Sequence, residues 1–332
     1  MKIIIASLTF LPNVGGLENV MAGLAEEWSY ENNIVTVFTD IATTLNDDYP
    51  YKINRQQSTI NLFKAVAKAD VFVEANISLK TFWVGLLNRK KWFVIHHLHY
   101  QHATDWKAKL KNYLTKFSNN ISVSQYIANT LLGKGTVINN FFQPSFQRIP
   151  SIAKTNDIAF LGRLVSDKGA TILLQAINHL NNKNSSVTII GDGPERNNLM
   201  QEAEQFQLKN IQFIGIKKGQ ALVEELNKHK ILVVPSIWPE PFGIVALEAM
   251  ACGCLVVASN NGGLPEAVNK FGILYNNNDP QKLALAIENA LLSFEDYEQN
   301  EVAVNEYLSS KKVIVIAQQY INYFKNTIAN TN

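Results

Sequence analysis

The chain has 332 residues, of which 47% are hydrophobic and 17% charged, with a formal net charge of +2. That length suits two domains of ~150 residues, and so much apolar side chain excludes a disordered protein. No apolar run reaches the ~20 residues that span a bilayer, and residues 1–7 turn polar too early for a signal-peptide core, so a cytoplasmic location is expected.

Short runs rich in Val, Ile and Phe predict strands at 2–7, 34–39, 70–75, 92–96, 120–124 and 136–139. A second series follows at 157–161, 187–191, 211–214, 231–234, 255–258 and 271–274. Helical periods lie between them, at 16–30, 58–68, 78–88, 104–117 and 125–132, then 168–182, 195–207, 219–229, 243–252 and 279–293. Continuous apolar strands separated by helices indicate parallel sheets covered on both faces. The proline-containing stretch around Phe142, Pro144 and Pro150 interrupts both periods, as a linker does. The fold class expected is α/β: two Rossmann-like doubly wound domains, 1–145 and 146–310, facing across a cleft. A last helix at 311–327 carries Val313, Ile316, Tyr320 and Tyr323 or Phe324 on one stripe, and is expected to pack back on the first domain. In such sheets ligands bind beyond the carboxyl ends of the strands, so the residues there should carry the chemistry.

The most informative stretch runs from Pro235 through Trp238, Pro239, Glu240, Pro241, Phe242, Gly243 and Ile244 to Glu248. It follows a predicted strand. Its prolines stiffen the turn, Gly243 lets the backbone approach a ligand closely, and a helix start there suits a phosphate. Glu240 and Glu248 could accept hydrogen bonds from hydroxyls at two ends of one elongated ligand, because Glu248 among Leu247, Ala249 and Met250 is an awkward place for an idle charge. Arg163 closes a strand and Lys168 opens the next helix; two cations at one depth suit a diphosphate whose charge grows as a bond breaks. Gly15 and Gly16 open the first helix, with backbone donors suited to the same phosphates. Gly191, Asp192, Gly193 and Pro194 read mainly as a turn and helix start.

The spacing of Glu240 and Glu248 resembles the paired-glutamate motif of retaining GT-B glycosyltransferases, specifically glycosyltransferase family 4. Other pieces agree in order: the segment with Arg163 and Lys168, the turn Gly191-Asp192-Gly193-Pro194, the strand of Val256, Val257 and Ala258 with the loop Gly262-Gly263-Leu264-Pro265-Glu266, and the loop Pro12-Asn13-Val14-Gly15-Gly16. Leu255 departs from the family's frequent proline, and Phe141 from the glycine that often follows the Asn140 equivalent. The resemblance implies transfer of a sugar from a nucleotide-diphosphate sugar (UDP-, GDP- or ADP-linked) to an acceptor hydroxyl, with retention, in glycan, polysaccharide or glycolipid synthesis. It implies that Glu248 holds the ribose, that Glu240 and the backbone of Phe242, Gly243 and Ile244 hold the sugar and phosphate, and that Gly191 lies in the donor site. It also implies that His96, or its neighbour His97, reaches the transferred sugar. A nucleotide-sugar epimerase of the same fold, or a non-catalytic sugar-nucleotide-binding protein, are the alternatives.

His96, His97, His99 and His102 lie close together, but alternating histidines on an extended segment point to opposite faces. No Asp-x-Asp pair occurs, and Arg163 and Lys168 can supply the charge that a divalent ion would bring. No metal and no cofactor are expected. Cys252 and Cys254, the two cysteines, have the apolar neighbours of buried, inert thiols. Residues 1–150 hold 15 basic and 10 acidic side chains against 15 and 18 in 151–332, too weak a bias to imply nucleic acid. The excess gathers at Arg89, Lys90 and Lys91 and at Lys107, Lys109, Lys111 and Lys116. The latter share a helix with Trp106, Leu110, Tyr113, Leu114 and Phe117, a pattern that suits either an anionic membrane surface and a lipid-linked acceptor or a stripe packed on the sheet.

Overall fold

The computed structural model describes residues 1–13, 15–43, 48–100, 105–276 and 278–330. Val14 of the glycine-rich loop, and Gln101 and His102 of the histidine segment, lie outside the described residues. The chain divides into two compact units, 1–141 with 311–332, and 142–310.

The first unit holds a parallel sheet of β1 (Lys2–Ala6), β2 (Ile34–Thr39), β3 (Lys52–Arg55), β4 (Val71–Ala75), β5 (Trp92–His96), β6 (Asn119–Ser122) and β7 (Gly135–Val137). Their order across the sheet is β3-β2-β1-β4-β5-β6-β7. The run Ile3-Ile4-Ile5 has no polar face because helices cover both sides of β1, and all three side chains are at most 1% exposed. The final helix, Val313–Ala329, belongs to this unit and packs on Gly16–Tyr30. Trp28 Nε1 donates to the Ala317 carbonyl at 3.2 Å, and its ring meets Tyr320 and Phe324 edge-on at 5.9 and 5.5 Å. Tyr320 and Phe324 are buried.

The second unit holds β8 (Asn156–Leu161), β9 (Val187–Ile190), β10 (Ile211–Gly215), β11 (His229–Val234), β12 (Leu255–Ser259) and β13 (Ile273–Tyr275), in the order β10-β9-β8-β11-β12-β13, again parallel. Both sheets are doubly wound. After β1 the chain steps outward through β2 and β3 and then returns to the other side of β1 as β4. After β8 it steps through β9 and β10 and returns as β11. Each sheet therefore has a switch point where the loops part, and crevices form there at the carboxyl ends.

Three expectations need correction. Strand β3, of sequence Lys-Ile-Asn-Arg, was not predicted: it pairs only with β2 at the sheet edge, so it needs little apolar character. The stretch expected to link the domains near residue 145 packs into the second unit. Phe146 is buried there, and Asn227 Oδ1 accepts from the Ile149 amide at 2.7 Å and from Arg148 at 3.1 Å. Helices Phe294–Gln299 and Glu301–Ser309 were not predicted: the first is short and rich in acidic residues, and the second buries only Val304 and Leu308. Cys252 and Cys254 are buried free thiols, and burial pushes both above the usual thiol range.

Candidate functional site

The second unit's switch point gathers most of the expected residues. The loop after β8 holds Arg163, and a 3-10 turn at Ser166–Lys168 ends in Lys168. The loop after β11 runs through Ser236 and Glu240 to the helix Ile244–Ala251. Asp167 binds the two loops together, its carbonyl accepting from the amides of Ile237 and Trp238 at 2.9 and 3.1 Å. Across this junction Lys168 Nζ reaches Glu240 Oε1 at 2.5 Å, and the buried Ser236 hydroxyl donates to the same oxygen at 2.8 Å. Ser236 was missed in the sequence because serine after a strand carries no pattern of its own. Lys168 spends one of its three N–H donors on Glu240, which leaves two without a partner among the described residues. The Arg163 side chain is exposed and has no partner among the described residues.

Glu248 lies on the helix that follows. Its side chain has no hydrogen-bond or ion-pair partner among the described residues, and burial pushes its carboxyl up to about 7. At the start of that helix the amides of Ile244 and Val245 have no acceptor among the described residues, leaving free donors and a partial positive charge. Phe242 turns its ring into the core, 1% exposed, so only its backbone can meet a ligand. Gly243 adopts φ +100, but the neighbour that a Cβ would strike is Leu264. The glycine is thus required by backbone conformation and by packing. Gly191 sits where the loops after β8 and β9 cross, and any Cβ there would collide with the Gly162 carbonyl. The Asp192 carboxylate accepts from the Gly193 amide at 2.7 Å, a turn-forming bond.

The remaining expected residues belong to the first unit. Gly15 precedes the helix Gly16–Tyr30. The Glu18 carboxylate lies against Gly15, where a Cβ would collide with it, so an acid of the chain itself stands at this helix start. His96 requires correction. It is fully buried, its Nε2 shares a hydrogen bond with Asn120 Oδ1 at 2.9 Å, and its Nδ1 shares one with the Tyr100 hydroxyl at 3.3 Å. Burial, only partly offset by Asn120, lowers it to about 4, so it is a neutral packing residue with no nitrogen left for a sugar. His97 beside it has an Nε2 without a partner; burial and the neighbouring His96 lower it to about 3. Asn140 Oδ1 is likewise buried and unpartnered. Among the described residues no three His, Cys, Asp or Glu side chains group as a metal site, and no helix is long and apolar enough to cross a membrane.

Residues 142–317, which contain the whole of this junction, match the family described as Glycosyl transferases group 1. The chain belongs to that family. It is 33% identical over 175 residues to an uncharacterised glycosyltransferase of Methanocaldococcus jannaschii, covering 52% of this chain and 43% of that protein. It is 35% identical over 169 residues to a D-inositol 3-phosphate glycosyltransferase of Corynebacterium jeikeium, covering 47% and 39%. The chain thus spans less than half the length of these two relatives. Among solved structures, the HepE protein of Anabaena in complex with UDP superposes with a TM-score of 0.84 at 21% identity, over 98% of this chain and all of that one. At that identity the likeness speaks for the fold, which is the GT-B class expected from the sequence. Within the family, Arg163, Lys168, Glu240 and Glu248 fall in the matched segment, while Gly15, Gly16 and His96 fall outside it.

Proposed function

We propose that the protein is a retaining glycosyltransferase, with residues 142–310 binding a nucleoside-diphosphate sugar and the first unit binding the acceptor. The observation that carries this reading is the junction of Lys168, Glu240 and Ser236 beside an unpaired Arg163 and free helix amides. Cations and amides for a diphosphate stand there next to a carboxylate for hydroxyls. In the reaction the bond from the anomeric carbon to the β-phosphate oxygen breaks. The acceptor oxygen attacks from the same face, and its proton passes to the departing phosphate. Arg163 and Lys168 stabilise the charge that grows on the diphosphate, so no divalent ion is needed. Glu240 holds sugar hydroxyls and Glu248 the ribose. Of the two histidines, His97 is the one whose ring nitrogen Nε2 has no partner among the described residues and so can take the sugar-facing role.

The structure of HepE with UDP-glucose makes UDP-glucose the first donor to test. Incubation with UDP-, GDP- and ADP-sugars, followed by mass spectrometry of the bound nucleotide, is expected to select one nucleotide and show its slow hydrolysis. Interconversion of the sugar would mean an epimerase, and neither reaction a binding protein. Turnover is expected to survive EDTA.

The acceptor we infer is a glycan or lipid-linked glycan at the cytoplasmic face of an anionic membrane. The helix Trp106–Leu114 supports this. Its Leu114 is buried, and Leu110 and Phe117 pack on the core, so part of the apolar stripe serves the fold. Trp106 and Tyr113 remain 64% and 49% exposed. Lys107 and Lys116 lie over these rings, and Arg89 lies over Phe117. Exposed aromatics interleaved with cations suit a lipid headgroup layer, at ~1 kcal/mol per near-surface basic residue. The protein is expected to float with phosphatidylglycerol vesicles at low salt, to be released at high salt, and to ignore phosphatidylcholine. Failure to float at low salt would remove the membrane.

A further inference from the structure

We propose that Trp238 is the platform for the sugar carried by the donor, its indole face stacking on the apolar C–H face of a pyranose ring whose hydroxyls Glu240 holds. The proposal deepens the transferase reading and rests on it for the identity of the ligand. Trp238 lies beyond the carboxyl end of β11, two residues before Glu240, on the loop that leads to the helix Ile244–Ala251. Of residues 231–250 it alone is exposed; the others are buried or partly buried. At 45% it is also the one exposed Phe, Tyr or Trp side chain of the second unit among the described residues.

Single apolar side chains on a surface are ordinary, but the backbone that presents this one is gripped by the loops of both neighbouring strands, β8 and β12. On the β8 side the Asp167 carbonyl takes the Ile237 and Trp238 amides, and the loops lie so close that a Cβ on Gly169 would strike the Pro235 carbonyl. On the β12 side Asn261 Nδ2 donates to the Ile237 carbonyl at 2.9 Å, and the Gly263 amide to the Glu240 carbonyl at 2.7 Å. The Ser259 hydroxyl donates to the Ser236 carbonyl at 2.9 Å, and a Cβ on Gly262 would collide with the Glu240 backbone. Pro239 and Pro241 fix φ on either side of Glu240. Trp238 and Glu240 are thus carried on one ordered stretch of chain, and a ligand that meets both has little backbone entropy left to remove.

The two side chains complement a pyranose in different ways. Such a ring carries hydroxyls around its rim and C–H bonds on its faces. A carboxylate accepts from the hydroxyls, whereas an indole, whose π-face is negative, takes the C–H face and excludes water from it. The carboxylate beside Trp238 assigns the stacked ring to the sugar rather than to the base. As the bond to the β-phosphate breaks, the sugar ring gains positive charge, and its attraction to the indole face grows. Trp238 therefore contributes to turnover as well as to donor affinity, and it distinguishes a nucleotide-sugar from the bare nucleotide.

Calorimetry and saturation-transfer NMR on the full chain test this, with UDP-glucose against UDP, GDP-mannose against GDP and ADP-glucose against ADP. For the pair that binds, the sugar protons on one face of the ring should receive stronger transfer than those on the other. Trp238→Ala should abolish that asymmetry and weaken the nucleotide-sugar at least ~10-fold, with the bare nucleotide unchanged within about twofold. Trp238→Phe keeps an aromatic face and should retain most of the affinity and of kcat. Trp238→Leu, apolar but without that face, should lose kcat as alanine does. Melting temperatures check that each variant is folded. Nucleotide and nucleotide-sugar weakened alike in Trp238→Ala would place the indole against the base or the diphosphate, and no change in either would leave it without a ligand; both results overturn the platform while the donor site stands. If the unmodified protein binds no nucleotide and no nucleotide-sugar, the transferase reading falls and the platform with it.

Discussion

Replacing Arg163 by alanine is expected to lower kcat at least ~100-fold, and Lys168→Ala to do the same. The two variants should differ in what else they disturb. Arg163 is exposed and touches no partner among the described residues, so its loss should leave the melting temperature within the small range of ordinary surface substitutions. Lys168 is held by Glu240 at 2.5 Å. Removing it leaves that carboxylate with the Ser236 hydroxyl as its one remaining side-chain partner among the described residues, and a modest loss of stability should accompany the loss of rate. Because each cation acts on charge that develops as the glycosidic bond breaks, the deficit should appear in kcat more than in donor KM. Glu240→Gln should separate the two sites further. Turnover falls with the sugar contact, while affinity for the bare nucleoside diphosphate is unchanged or increased, because Lys168 is freed from its acidic partner. Single-turnover kinetics and calorimetry read these quantities. A loss below about threefold in Arg163→Ala, with an unchanged melting temperature, would remove it from the diphosphate.

Legibility in the sequence followed the physical strength of each signal. The buried strands were visible because a parallel sheet covered on both faces requires unbroken apolar runs such as Ile3-Ile4-Ile5, and the alternation of strands with helices fixed the class. β3 was invisible for the converse reason, since an edge strand with one neighbour can be built from Lys, Asn and Arg. The charged residues of the second unit's junction were visible as charges at the ends of predicted strands and the starts of predicted helices, and Glu248 as a charge that stands awkwardly beside apolar neighbours. Their pairing was not, because nothing in the spacing of Lys168 and Glu240, or in Ser236, says that two loops meet across the switch point. His96 shows the limit most clearly. A histidine at a strand end reads the same whether its ring faces out or, as here, inward to Asn120 and Tyr100. Only three-dimensional placement distinguishes it from His97.

Glu248 gives the prediction in which function and stability pull in opposite directions. Its carboxyl is pushed up to about 7 by burial alone, with no cation or donor among the described residues to offset it. In the folded protein it therefore holds its proton more tightly than in the unfolded chain, where it titrates near 4.5. Above the unfolded value the unfolded state has already ionised and gains relative to the folded one, so stability falls as pH rises from about 4.5 to about 7 and is level beyond. The cost at pH 8 is on the order of 3 kcal/mol at most. Glu248→Gln removes the ionisation, so the variant should be more stable than the unmodified protein at pH 8, with the difference fading below about pH 4.5. Ribose hydroxyls donate hydrogen bonds and favour the ionised carboxylate. Nucleotide affinity in the unmodified protein should therefore rise through pH 7, and the glutamine variant should bind at least tenfold more weakly at pH 8 with a flatter profile. Thermal melts and calorimetry between pH 5 and 8 measure both halves. A variant that gains stability and keeps full nucleotide affinity would show a charge buried without a ligand to receive, and would take the ribose away from Glu248.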